Sequence, residues 1–452
     1  MPTDAARRPA RLGRPFNPRD RMWLDARTVN LIGGLDTPTV DAVRGALRRL
    51  AAVAPRHRLF RRRVDGSRWE YVASPDLGEH CDRMVTAVDA DGSDPDDVVA
   101  GLHRSAPDVP LRFSVGREIF ALNLEHWLYD GWTSRRVAAA VLRAAAVGGT
   151  PTELLIPRTR APMARALARS WIQDSGTLIR TFREPRPAPP ADPGWEPEPW
   201  AGPGPGNEDL SDGSVAERGA GEAIGTQPPP GEVPWSPALR VVSARGPADL
   251  LPWLRAWRDA NAPTASVANV LYAATGPALA AVGLPPATPG ITTLVDNRRY
   301  LGSDAFVMGN FAVPVYLAPD DARDPEAIGR ALKTSVSSAL PLATMAFYAV
   351  HAARHGEDNP PTTRPARPRA YPILNHLGRL SVFDDLPWLD GGREARFHAL
   401  ATQGRPEDVT VYFSEVRGRL DINIGFHGNV FDPAAVRAVA RMLCTDPLAL
   451  LP

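Results

Sequence analysis

Cysteine is nearly missing from this chain: Cys81 and Cys444 are the only two in 452 residues. That excludes a disulfide framework and any Cys-x-x-Cys redox or metal pair. Lysine is scarcer still. Lys333 is the only one, so arginine carries almost all the positive charge. With the abundant alanine and proline, this reads as codon bias from a GC-rich genome and not as chemistry. The net charge of +1 gives no global field to attract nucleic acid or an anionic membrane. No run of about 18 uncharged apolar residues exists, so no membrane span is expected. The N-terminus has arginines but no apolar signal core. Cytoplasmic residence is therefore the default expectation.

Other absences narrow the chemistry. There is no Gly-x-Ser-x-Gly nucleophile elbow. The glycine-rich stretch from Gly219 to Gly225 lacks the Lys-Ser/Thr ending of a phosphate loop. His351 and His355 lie four apart, but no carboxylate or cysteine cluster accompanies them, so no metal is expected.

What is present suits a globular protein: 44% of residues are hydrophobic and 23% charged. The length allows two ordinary cores. One composition break divides the chain. Residues 184–237 are crowded with proline, glycine and acidic residues, and read as a linker. Trp195, Trp200 and Trp235 are the residues expected to pin it down. The expected organisation is a first lobe over 1–183, a linker over 184–237 and a second lobe over 238–452.

Both halves mix strand and helix patterns. Thr37-Pro38 reads as a helix cap, with Val40, Val43, Leu47 and Leu50 on one face. Segments 59–64 and 68–72 flank Asp65-Gly66, a hairpin signal. Segments 111–115 and 118–124 flank Gly116. In the second half, helices are expected near 249–260, 265–281 and 325–353. Strands are expected at 291–295, 311–317, 371–375, 409–414 and 420–426, with a last helix from Pro433. The fold class is α/β or α+β.

The densest chemistry lies in Glu125-His126-Trp127-Leu128-Tyr129-Asp130-Gly131-Trp132. A short apolar strand over 119–124 leads into it. Val137, Val141 and Leu142 recur at helical spacing after it. A neutral imidazole at such a strand-to-helix passage can accept a proton from a nucleophile. Amides at a helix start can meet a developing negative charge. The arginines Arg56, Arg58, Arg61, Arg62 and Arg63 form a further cluster, read as a solvated strand edge with an acidic partner helix as the functional option.

This stretch resembles the His-His-x-x-x-Asp-Gly motif of the condensation-domain superfamily, which includes nonribosomal peptide condensation domains and related acyltransferases. The second histidine falls on His126, the aspartate on Asp130 and the glycine on Gly131. Glu125 stands where the first histidine would be. Further segments match in order: Pro55 to Phe60, Thr293 to Arg299 with Met308-Gly309-Asn310-Phe311, Tyr371 to Gly378, and Leu420 to Phe426 followed by Phe431-Asp432. The resemblance implies two chloramphenicol-acetyltransferase-like lobes, each a mixed sheet with helices, and an active site at their interface.

It also implies roles. His126 would act as base or position the nucleophile, with Gly131 letting the backbone come close to the ligand. Asp130 would hold the loop by pairing with Arg298, or failing that Arg299. Glu125 would support the loop or raise the basicity of the imidazole. Asn375 and Trp132 are candidate substrate contacts. The implied activity is a free-standing condensation-type acyltransferase of specialised metabolism. It would form an amide or ester from a phosphopantetheine thioester and an amine or hydroxyl acceptor. The thioester would arrive on a carrier protein in trans or on coenzyme A. Direct transfer would need no metal, no bound cofactor and no covalent enzyme intermediate. The alternative is a catalytically degenerate module that binds carrier-bound intermediates or recruits other enzymes.

Overall fold

The computed structural model describes residues 13–184, 186–189, 231–303, 305–355 and 361–452. In the first half, strands β1 (Arg27–Gly33), β2 (Val85–Ala87), β3 (Leu111–Val115) and β4 (Ile119–Glu125) alternate with helices. These helices are α1 (Val40–Val53), α2 (Pro95–Arg104) and α3 (Gly131–Ala146). The β3–β4 hairpin turns at Gly116, whose amide donates to the Ile119 carbonyl at 2.9 Å. Helix α1 is capped by Thr39, whose hydroxyl accepts from the Ala42 amide at 3.2 Å. The expected cap, Thr37, instead donates to the Gly116 carbonyl at 2.6 Å. Helix α3 buries Val137, Val141, Leu142 and most of its alanines, and it packs against α1. Alanine at these positions lets the two helices approach closely without side-chain entropy loss.

The second half contributes β5 (Leu239–Arg245), β6 (Ile291–Asp296), β7 (Ala312–Leu317), β8 (Tyr371–Arg379), β9 (Arg396–Ala401), β10 (Asp408–Val416) and β11 (Arg419–His427). The larger sheet has the order β7–β6–β8–β10–β11–β5. Its β6–β8 and β8–β10 pairs are parallel and the others antiparallel. Its central strands β10 and β11 alternate, placing Val409, Val411, Phe413, Leu420, Ile422, Ile424 and Phe426 in one core. The β10–β11 hairpin turns through Arg417 and Gly418, at φ 50° and 78°. Consecutive left-handed residues are what a two-residue hairpin turn requires.

The division at 184–237 does not hold for two elements. Strand β9 leaves the second half and pairs antiparallel with β1, giving the first sheet the order β9–β1–β4–β3–β2. Helix α4 (Pro162–Arg183) goes the other way. Its Ala166 and Leu178 are buried with Val295, Phe311 and Leu340 of the second half. Each lobe therefore borrows one element from the other half of the chain. Residues 190–230 of the expected linker, with Trp195, Trp200 and the glycine stretch from Gly219 to Gly225, lie outside the described residues. Trp235 is buried, edge-on to the His427 ring at 4.9 Å. Among the described residues no single helix is long and apolar enough to cross a membrane. No group of three possible metal ligands occurs among them either.

Candidate active site

The loop between β4 and α3 is the junction of the two lobes. Asp130 caps α3: one carboxylate oxygen accepts from the Thr133 amide at 3.0 Å and from its hydroxyl at 2.8 Å. The other accepts from Arg298 at 2.8 Å and from the Phe311 amide at 3.0 Å. Arg298 stands just after β6, in the second lobe. It also donates to Asp296 at 3.0 Å and to the carbonyls of Val307 and Gly309 at 3.0 and 2.8 Å. Burial alone would raise the Asp130 pKa. The adjacent Arg298 guanidinium and the Thr133 donors outweigh that and hold it below the usual carboxylate range. Burial likewise works against the Arg298 charge, but Asp130 and Asp296 prevail and its pKa is raised.

The loop carbonyls are held just as firmly. Arg58 is buried and donates to the carbonyls of Leu128 and Trp127, each at 2.6 Å. Its guanidinium also pairs with the buried Asp20 at 2.8 Å. Asn310 donates to the carbonyls of His126 and Trp127 at 2.8 and 3.2 Å. Gly309 takes φ 146°, and a Cβ there would lie 3.4 Å from the Arg58 guanidinium. A glycine between Met308 and Asn310 thus gives both backbone freedom and room for the arginine.

His126 sits on this fixed loop, its amide donating to the Ala26 carbonyl at 2.7 Å. Burial lowers its pKa against a backbone hydrogen bond and the nearby Asp130 charge, so the imidazole is neutral near pH 7. Its Nδ1 is enclosed without a hydrogen-bond partner among the described residues. The residue is half-buried, which leaves Nε2 as the nitrogen able to meet a substrate. Trp23 stacks on the ring, centroids 4.3 Å apart and planes 15° from parallel.

A cleft of about 1160 Å³ opens between the lobes. Residues 21–26, His103, Trp235, Tyr348, Gln403 and His427 are on its wall. His126 is not. The resemblance implied an active site at the lobe interface; the imidazole lies one layer behind the cleft wall, under Trp23.

No family model matches the chain, and no curated protein matches it in sequence. Solved structures do match in shape. The condensation domain of the monacolin K polyketide synthase MokA aligns at TM-score 0.56 and 16% identity, over 96% of each chain. A trichothecene 15-O-acetyltransferase from Fusarium sporotrichioides aligns at 0.55 and 11%, over 97% of this chain and 95% of that one. Polyketide synthase associated protein 5 from Mycobacterium tuberculosis aligns at 0.54 and 17%, over 98% and 99%. The protein has the condensation-domain fold.

Within that condensation fold, the residues singled out by sequence fall as follows. His126, Asp130, Gly131, Trp132 and Arg298 are brought together. Gly131 opens α3 in ordinary helical geometry, not in a turn reserved for glycine. What constrains it is space: a Cβ would lie 3.2 Å from an Arg135 nitrogen. The Trp132 ring lies under the Arg298 and Arg136 guanidinium groups, at 4.4 and 4.1 Å, which makes it a part of the clamp. Arg299 is not the partner of Asp130; it donates to the Asp296 carbonyl at 3.2 Å. Asn375 lies inside β8, half-buried, opposite Tyr412, and makes no hydrogen bond to the His126 loop.

Glu125 does not serve the imidazole. Its carboxylate accepts from the Trp127 indole and faces Arg27 at 3.9 Å. The charge that raises the His126 pKa is Asp130. Nor are all the arginines near Arg56 solvated: Arg58 is buried, and Arg61 lies 3.8 Å above the Trp69 ring. Sequence reading missed Arg58, Asn310 and Trp23 as site residues. The signal for Asn310 was its place in the Met308–Phe311 match. Trp23 had none.

Proposed function

We propose that this protein is a condensation-type acyltransferase, joining an acyl group from a phosphopantetheine thioester to an amine or hydroxyl. The observation that supports this most is the neutral His126 on a loop clamped from the second lobe. In the proposed step, the acceptor's N–H or O–H gives its proton to His126 Nε2 as its heteroatom attacks the thioester carbonyl. The C–S bond then breaks, and the thiolate takes the proton back from the imidazolium. Atoms and charge balance without a metal or a covalent enzyme intermediate. The donor would be an acyl carrier protein or acyl-coenzyme A, and the acceptor a small amine or alcohol.

A second reading is a degenerate module that binds carrier-linked intermediates. The indole over His126 and the carboxylate in place of the first histidine favour it. One experiment separates the two. Purified protein is mixed with an acyl-loaded carrier and candidate acceptors, and product is read by mass spectrometry. His126→Ala should slow transfer by about 10²–10⁴-fold, the usual worth of a general base, with carrier binding unchanged. Carrier binding without transfer, in the parent as in His126→Ala, would favour the module; transfer at the parent rate in His126→Ala would remove His126 from the chemistry.

A further inference from the structure

The inner wall of the cleft is residues 21–26. This segment is a chain of single turns. The Trp23 amide donates to the Asp20 carbonyl at 3.1 Å, and the Ala26 amide to the Trp23 carbonyl at 3.3 Å. Its ends are fixed by the buried Asp20–Arg58 pair and by the His126 amide on the Ala26 carbonyl. Between those anchors, Trp23 is half-buried, with one indole face on the imidazole. The backbone that carries the imidazole is held by Asn310 and Arg58, and the loop beyond it by Arg298. The indole's ring contact is the stack on His126. A substrate that enters the cleft therefore meets Trp23 before it meets His126.

We propose that Trp23 is a positioning and specificity-determining residue, whose indole closes the inner end of the cleft over one face of His126 and limits the bulk of the acceptor that reaches Nε2. This rests on the reading of His126 as the residue that handles the acceptor's proton. Stacking also fixes the ring plane, so that a small acceptor approaches along the ring edge. A bulky one has to displace the indole.

The test has an arm that needs no acyl transfer. Diethyl pyrocarbonate acylates neutral, accessible imidazoles, and peptide mass spectrometry locates each modified histidine. His126 is neutral, so access alone limits its rate. In the parent protein His126 should react slowly. Trp23→Ala should speed its modification about tenfold or more, since a shielded group reacts only through local opening. Trp23→Phe should restore most of the protection. His57, His80 and His398, all buried and none on the cleft wall, report the integrity of each variant. If they too become reactive in Trp23→Ala, the fold has opened, and Trp23→Leu replaces it as the variant that removes the ring but keeps apolar bulk. Equal His126 rates in the parent and in the well-folded ringless variant would overturn the proposal.

The second arm uses acyl transfer to acceptors of rising bulk. Trp23→Ala should raise kcat/KM for bulky acceptors relative to small ones, and lower kcat for small ones. A uniform change across the series would overturn the specificity role. Absence of transfer in every protein would count against the acyltransferase reading, while the modification arm still decides the shielding.

Discussion

Asp130 and Arg298 stand 168 residues apart in the chain and meet at 2.8 Å, joining the first lobe's loop to the second lobe. The aspartate is also the cap of α3 and the acceptor of the Phe311 amide. A single carboxylate thus fixes a helix start, a loop and a strand from the opposite half. Distance along the chain makes this contact costly to form and cooperative once formed.

The first prediction concerns that carboxylate. Asp130→Ala leaves Arg298 buried without its main counter-charge. Breaking a buried pair from one side costs about 3–5 kcal/mol. Urea denaturation should show that loss, and transfer activity should fall with it. A variant as stable as the parent but inactive would make Asp130 a chemical residue instead.

The second prediction concerns Glu125. Its carboxylate accepts from the Trp127 indole, inside a core that also holds Phe16, 4.9 Å from the Trp127 ring. Glu125→Gln keeps an acceptor oxygen and should change activity by less than about tenfold, because no transition-state charge is removed. Glu125→Ala strands a buried N–H and should cost about 1–3 kcal/mol of stability. Thermal melts and transfer rates of the two variants check this. A loss in Glu125→Gln as large as that of His126→Ala would show that the carboxylate acts with the imidazole.

Local features of this fold were legible in the sequence, and non-local ones were not. The β3–β4 hairpin, the passage into α3 and the β10–β11 turn follow from residues adjacent in the chain. The Asp130–Arg298 contact was reachable only through resemblance, since nothing in the local pattern of either residue names the other. Strand β9 was not anticipated at all. Its partner β1 lies some 370 residues earlier (Ala399 against Asn30, for instance), and a pairing of that span leaves no local trace. Arg58 was misread because an arginine among arginines looks solvated. Its burial depends on Asp20 and on the carbonyls of Trp127 and Leu128, which the fold delivers. Trp23 sits in a turn without periodicity, so no pattern marked it.

The third prediction is a pH dependence of stability. Asp408 is buried, and burial pushes its carboxyl up to about 6 despite the Arg405 amide that bonds it at 2.9 Å. A carboxyl raised on folding favours the folded state fully below its unfolded value, about 3.8. That contribution is lost as pH rises through about 6. Asp408→Asn keeps the oxygen acceptor and cannot ionise. The variant should therefore gain on the parent between pH 4 and pH 7, by on the order of 3 kcal/mol for a shift of about two pKa units. Denaturation midpoints across that range test it. A parallel pH course for both proteins would show that Asp408 titrates as an exposed group.

The last prediction concerns the proton that His126 handles. Burial lowers the His126 pKa below its ordinary 6.5. A base must be unprotonated to act, so transfer should be at full rate at neutral pH and fall as pH drops through the folded value. The acid limb of kcat/KM should therefore have its midpoint below 6.5, as should a ring titration of His126 by NMR. Asp130 is the neighbour that holds the pKa up. Arg298→Lys should bear on this. Lysine keeps the positive charge beside Asp130 but loses the planar fork that bonds Val307 and Gly309. The acid limb should stay where it is, while the maximal rate falls with the looser loop. An acid limb above pH 7 in the parent would mean that another group titrates. A limb that moved with Arg298→Lys would mean that the clamp sets the imidazole's charge as well as its place.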